Sequence, residues 1–199
     1  MSNIDSTKLL IFLKRSRRLS TIDRCSNTPH IQRYSVAEHS YYISLLAMLF
    51  ADIENLNADE KIYDTSEVIK HALIHDLEES ITGDILFPFK HQNEKLKPQL
   101  KMAIEECVDK ELFIELPTGI QEYYKKLWMN SKDSSREGKL VAAMDKFEIL
   151  LFAISEIDMG NSNSFQIIYH IAINVIKRDH TDIKSLIAVV EKIESIYGS

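Results

Sequence analysis

Four short stretches of the sequence set histidines and acids in apolar surroundings: Glu38-His39, His75-Asp76, Glu79 through Asp84, and Asp145. Asp145 is the most telling, because residues 140–154 around it read as a buried helix. Burying an unpaired carboxylate costs several kcal/mol or more, so such a group is paired, protonated or bound to metal. His39, His75, Asp76 and Asp145 together offer two imidazoles and two carboxylates, enough for one divalent cation. That mixture of donors suits Mn, Fe, Co, Ni or Zn better than Ca or Mg. A metal-dependent hydrolase is the leading expectation.

The acids that follow His75 extend the pattern. Glu79 lies four residues on, hence on the same face if the helix continues. A carboxylate beside a metal is well placed to move a proton to a leaving group or from a water. Glu78 falls off that face and is expected in solvent. Asp84, after a stop at Gly83, either turns back to the site or closes a local Asx turn. His71 precedes His75 by four and reads as a core or supporting histidine. His30, His91, His170 and His180 stand alone and are expected to be structural.

These residues need helices to position them. A first helix opens near Asp5 or Ser6, and residues 20–34 read as an irregular loop. Ser35 and Glu38 form a capping box for a second helix reaching about Ile53, with His39 in its first turn. Asp64 to Glu67 offers another box for a third helix reaching about Ser80. Pro88 and Pro98 bracket a loop, and helices are predicted over 99–112, 117–127, 136–157, 165–177 and 182–196. Strand-like alternation is absent, so the fold class is all-α.

Bulk properties narrow the function classes. A chain of 199 residues with 45% apolar content fills one domain, and 5 Gly and 4 Pro favour long helices. A net charge of −6 argues against binding a nucleic-acid polymer, although Lys14, Arg15, Arg17, Arg18 and Arg24 form a local basic cluster. Two cysteines without a CxxC pair fit a reducing cytosol. There is no apolar stretch near the ~20 residues that span a bilayer. A soluble, cytoplasmic protein is expected.

The combined pattern is specific. Ser35-Val36-Ala37-Glu38-His39-Ser40, then His75-Asp76 with Glu79 and Gly83-Asp84, then Ala143-Met144-Asp145-Lys146, resembles the H…HD…D signature of HD-domain phosphohydrolases. Within them the sequence is most similar to 5'-deoxynucleotidases of the YfbR type, over roughly residues 8–155. The resemblance implies an HD-domain helical bundle with His39, His75, Asp76 and Asp145 on one divalent metal. It implies that Glu79 assists proton transfer and that Asp84 contacts the water or the substrate sugar. Arg24, fifteen residues before the first metal histidine, takes the position of a phosphate-binding arginine. The family usually has a tryptophan next, near the sugar, and this chain has Cys25 instead. The implied substrate is a (deoxy)nucleoside monophosphate, and relatives are commonly homodimers.

Other readings share the same residues. Hydrolysis of a signalling nucleotide would use the same ligands, but that group normally shows a Glu-Asp pair where this chain has Glu78-Glu79. A dinuclear iron oxygenase would need two further histidines, and His91 alone is available. A helical binding module with a closed structural metal is the non-enzymatic alternative. The C-terminal apolar residues, among them Phe165, Ile167, Ile168, Ile171, Ile173 and Ile176, pack on the core or on a second subunit.

Overall fold

A computed structural model describes residues 4–86 and 96–198. Among the described residues nine helices run in order: α1 Ser6–Ser16, α2 Val36–Leu56, α3 Thr65–Ile74, α4 Glu79–Thr82, α5 Leu96–Glu111, α6 Thr118–Met129, α7 Arg136–Asp158, α8 Ser162–Asp179 and α9 Lys184–Tyr197. Short 3-10 turns follow α1 and α5 at Arg17–Thr21 and Phe113–Glu115. Among the described residues the one extended pairing is an isolated bridge between Asp23 and Ser35.

Side-chain caps account for several helix starts. Asp5 accepts from the backbone of Thr7 and Lys8, and the Ser35–Glu38 capping box is complete. The box expected at Asp64 is only half formed. Asp64 caps Ser66, but its own N–H donates to Glu137 of α7 at 3.1 Å, while Glu67 pairs with Lys70. A tertiary partner has displaced a local one. Pro98 lies inside the first turn of α5 rather than in a loop, where its missing N–H costs no helical bond. Pro88 and His91 lie outside the described residues.

The expected long third helix is broken. α3 ends at Ile74, and residues 75–78 form a tight turn before the one-turn α4. Across the break the backbone bonds tighten to i→i+3: Leu77 N–H donates to Ile74, Glu79 to Asp76 and Ser80 to Leu77, each at 3.1 Å. Gly83, at φ +73°, ends α4 as the sequence suggested. The turn falls where two apolar cores meet. Ala72 belongs to a core built from α2, α3, α7, α8 and α9, and Ile74 to a smaller one with Val108, Leu112, Phe113 and Leu127. His75 and Asp76 therefore emerge at the seam between them.

α7 is the central helix, buried over most of its surface through Leu140, Val141, Met144, Phe147, Leu150 and Ala153. Of the C-terminal apolar residues, Phe165, Ile173 and Ile176 enter the main core, whereas Ile167 and Ile171 are exposed.

Gly138, in the first turn of α7, lets the preceding turn fold back tightly. A Cβ there would stand 2.5 Å from Asp133 Oδ1, 2.6 Å from its backbone nitrogen and 2.8 Å from its carbonyl oxygen. Alanine in a helix gains at most about 1 kcal/mol over glycine. Overpacking against backbone costs about 1–3 kcal/mol, so the clash outweighs that gain. Gly138→Ala is expected to lower the thermal midpoint; an unchanged or raised midpoint would show that the turn yields freely.

Candidate metal centre

His39 is wholly buried in the first turn of α2, one helical step inside the Ser35 cap. His75 and Asp76 come from the turn after α3, and Asp145 from the middle of α7. All four are buried, and the structure brings them together. His39 Nε2 lies 3.2 Å from Asp145 Oδ1 and 3.5 Å from Asp76 Oδ2, and His75 Nε2 lies 3.0 Å from Asp76 Oδ2. Donor atoms of His39, His75 and Asp76 all fall within 4.8 Å of one another, and Asp145 joins them through His39.

The outer nitrogens are already committed. His75 Nδ1 sits 2.7 Å from the carbonyl of Ala72, a placement that the broken helix permits. His39 Nδ1 lies 2.7 Å from Glu148 Oε2 and 2.9 Å from the Tyr34 hydroxyl, which itself donates to Glu148. Each Nδ1 thus faces an oxygen acceptor, which turns Nε2 toward the interior of the site. Both Nε2 atoms are buried and lack a hydrogen-bond partner. A buried imidazole held this way fits a metal ligand. Tyr34 and Glu148 carried no signal in the sequence beyond Glu148 lying three residues past Asp145 in an apolar helix.

Charge at the site is balanced by three cations. Arg24 NH1 lies 3.0 Å from Asp76 Oδ2 and 3.8 Å from Glu79 Oε2, with NH2 3.9 Å from Asp145 Oδ1. Burial opposes the guanidinium's charge, but Asp76, Asp145 and Glu79 outweigh it and push its pKa up. Lys132 reaches Asp145 Oδ2 at 2.9 Å and Asp76 Oδ1 at 3.5 Å, and Lys146 lies 3.2 Å from Asp145 Oδ2. Burial alone would raise the two aspartates. His75 and Lys132 beside Asp76, and Lys132 and Lys146 beside Asp145, instead hold both carboxyls well below the usual range. For His39, burial and Arg24 disfavour protonation, yet the surrounding carboxylates of Asp145, Asp76 and Glu148 hold its pKa up to about 9.

Arg24 is presented by a loop that is irregular but well tied. Its N–H donates to the Tyr34 carbonyl at 2.8 Å, and Val36 N–H donates to Ile22 at 3.0 Å, closing the loop at its base. Glu156 of α7 accepts from the N–H groups of Ile31 and Gln32, both at 2.8 Å. The chain reverses at Cys25, which has φ +53°, a region most side chains avoid. Burial first, and Asp84 and Glu148 nearby, push the Cys25 thiol up to about 11 against the lowering effect of Arg24. A protonated thiol is a poor nucleophile. Cys25 is therefore expected to alkylate slowly with iodoacetamide at pH 7.5 and to speed up only toward pH 11, followed by peptide mapping. Rapid modification at neutral pH would refute that environment.

The remaining expectations divide. Glu79 is buried at the start of α4 within reach of Arg24, as anticipated, although through a broken helix. Asp84 is half-buried and acts on Cys25, and no hydrogen bond or ion pair joins it to the four ligands. Glu78 is not in solvent. The Trp128 indole donates to its Oε2 at 2.7 Å, and burial, with Asp76 adding to it, pushes its carboxyl up to about 7. His71 is buried in α3, consistent with a core histidine, and His30 and His170 bond locally.

A family model described as 5'-deoxynucleotidase YfbR-like matches residues 11–193, nearly the whole chain. The chain belongs to the YfbR-like family. Among its relatives, the 5'-deoxynucleotidase yfbR of Photorhabdus temperata is 28% identical over 151 residues, covering 76% of each chain. A 5'-deoxynucleotidase of Pectobacterium atrosepticum is also 28% identical over 151 residues, covering 76% of this chain and 75% of the relative. Among solved structures, an HD-domain phosphohydrolase from Listeria innocua superposes with a TM-score of 0.79 at 29% identity, covering 93% of this chain and 87% of that one. A cyanophage S-2L HD phosphohydrolase, DatZ, bound to dA and one catalytic Zn²⁺, shares the fold at a TM-score of 0.59 and 19% identity, covering 90% and 94%. The YfbR-like protein is thus an HD-domain nucleotide phosphohydrolase acting as a phosphomonoesterase. Among the described residues, no helix is long and apolar enough to cross a membrane.

Proposed function

We propose that this YfbR-like protein removes the 5'-phosphate from (deoxy)nucleoside monophosphates, with one divalent transition metal held by His39, His75, Asp76 and Asp145. One observation carries the ligand set: two buried imidazoles whose Nδ1 atoms face oxygen acceptors while their unpartnered Nε2 atoms face the inner oxygens of two aspartates. Co, Mn, Ni, Fe and Zn all suit that donor set. When bound, such a cation polarises a phosphate oxygen and lowers the pKa of water toward ~7.

The chain's own residues supply the rest. Arg24 turns its guanidinium to the phosphate, and its buried Nε, which has no hydrogen-bond partner, is a further donor for it. Glu79 takes a proton from the attacking water and passes it to the departing 5'-oxygen as the P–O bond breaks, and the products are a nucleoside and inorganic phosphate. Asp84 and Cys25 line the sugar side. The test is phosphate release by metal-replete protein across all ribo- and deoxyribonucleoside monophosphates. No release from any of them would end this reading.

The whole chain is proposed to form a single domain that works as a cytoplasmic homodimer. An exposed apolar face of α2, with Tyr41, Tyr42, Leu45, Met48 and Leu49 at helical spacing, supports self-association. Light scattering giving one chain's mass would refute the dimer.

A further inference from the structure

We infer that Lys132 is a positioning residue of the metal centre, holding Asp76 and Asp145 so that each offers a single oxygen to the cation. The inference rests on the metal site proposed above. The four carboxylate oxygens of the two aspartates divide into two sets. Asp76 Oδ2 and Asp145 Oδ1 face His39 Nε2, at 3.5 and 3.2 Å. Asp76 Oδ1 and Asp145 Oδ2 both face Lys132 Nζ, at 3.5 and 2.9 Å. One ammonium therefore bridges the outer oxygens of carboxylates that come from two separate elements, the turn after α3 and the middle of α7.

A compact ammonium with three donors suits this task. With its outer oxygen engaged, neither carboxylate swings to chelate through both oxygens. Coordination positions then stay open for water and phosphate, as a catalytic rather than structural metal requires. Arg24 differs in kind, because its NH1 lies against the inner oxygen of Asp76, on the side the cation takes. Lys132, on the outer oxygens, remains compatible with a bound cation. The position of Lys132 is itself built in. It sits on the turn between α6 and α7 that closes over Gly138, and Ser131 in that turn is buried, its hydroxyl donating to the Trp128 carbonyl at 2.7 Å.

The test is Co²⁺ binding by Lys132→Met, Lys132→Gln and Lys132→Arg, measured by chelator competition and by the visible absorption of the bound ion. Residues that orient metal ligands typically contribute about 10–100-fold in affinity. The Met and Gln variants are expected to lose affinity in that range and to show altered Co²⁺ bands. Arg, which can bridge two carboxylates, is expected to restore the parent's spectrum. Lys132 is exposed at the surface of its turn, and the Gln variant decides the matter if the Met variant fails to fold. Met and Gln variants binding Co²⁺ within twofold of the parent, with superimposable spectra, would overturn the inference. A parent that binds no Co²⁺ would instead count against the metal site itself.

Discussion

Replacing Asp76 with alanine is expected to lower phosphate release by more than about 10³-fold. Asp76 is the residue on which the site converges. Its Oδ2 faces both histidine Nε2 atoms and Arg24, while its Oδ1 faces Lys132. Losing a single preorganised electrostatic contact already costs about 10²–10³ in rate. Removing a ligand also takes away the affinity that brings a Lewis acid to the phosphate. Two measurements separate the causes: metal content by elemental analysis, and turnover at saturating metal. A variant that keeps its metal and turns over within tenfold of the parent would exclude Asp76 as a ligand. A binding module would keep its partner after this substitution, so the same variant separates an enzyme from a helical scaffold.

Replacing Arg24 with alanine is expected to act in two opposite ways, depending on metal. The guanidinium stands among Asp76, Glu79 and Asp145, at 3.0, 3.8 and 3.9 Å. Breaking a buried ion pair by removing one partner destabilises by about 3–5 kcal/mol, because charge is left uncompensated. The thermal midpoint of the metal-free variant should fall clearly below the parent's. Added metal should restore most of it, since a divalent cation compensates the same carboxylates and binding stabilises the folded state. In the loaded enzyme the loss moves to substrate. A hydrogen bond to a charged group contributes about 1.5–3 kcal/mol, so KM for the nucleotide should rise about 10–100-fold. Equal midpoints with and without Arg24 in the metal-free state would contradict the placement of its side chain. An unchanged KM would remove it from phosphate binding.

Both predictions depend on the same physical fact. Arg24 lies against the same oxygens of Asp76 and Asp145 that face His39, so its charge and the proposed cation act on one set of carboxylates. The loop that carries Arg24 is tied at Tyr34, Val36 and Glu156, so its backbone is hydrogen-bonded on either side of that residue.

Much of this was legible before any coordinates. The Ser35–Glu38 capping box, the Gly83 stop and the span of α7 follow from local chemistry that acts within four residues. The four proposed ligands stood out because a carboxylate in an apolar helix demands a partner, and the serial order of His39, His75, Asp76 and Asp145 offered one. What periodicity could not reveal was the break after Ile74. An i→i+4 pattern continues through residues 75–80, and only bonding to Ala72 and the meeting of two cores turns the chain there.

The sequence by itself determined the helical class and the serial order of the four proposed ligands, since these rest on residue type and on spacing along one chain, while the resemblance to the family pointed to Arg24. The tertiary structure alone decided which atoms support them. Tyr34 and Glu148 hold His39 across 5 and 109 residues, Trp128 takes Glu78 out of solvent across 50, and Lys132 joins aspartates on separate elements. The long pairings among these have no local signature, because packing around α7 brings their partners together and no repeat along the chain encodes them.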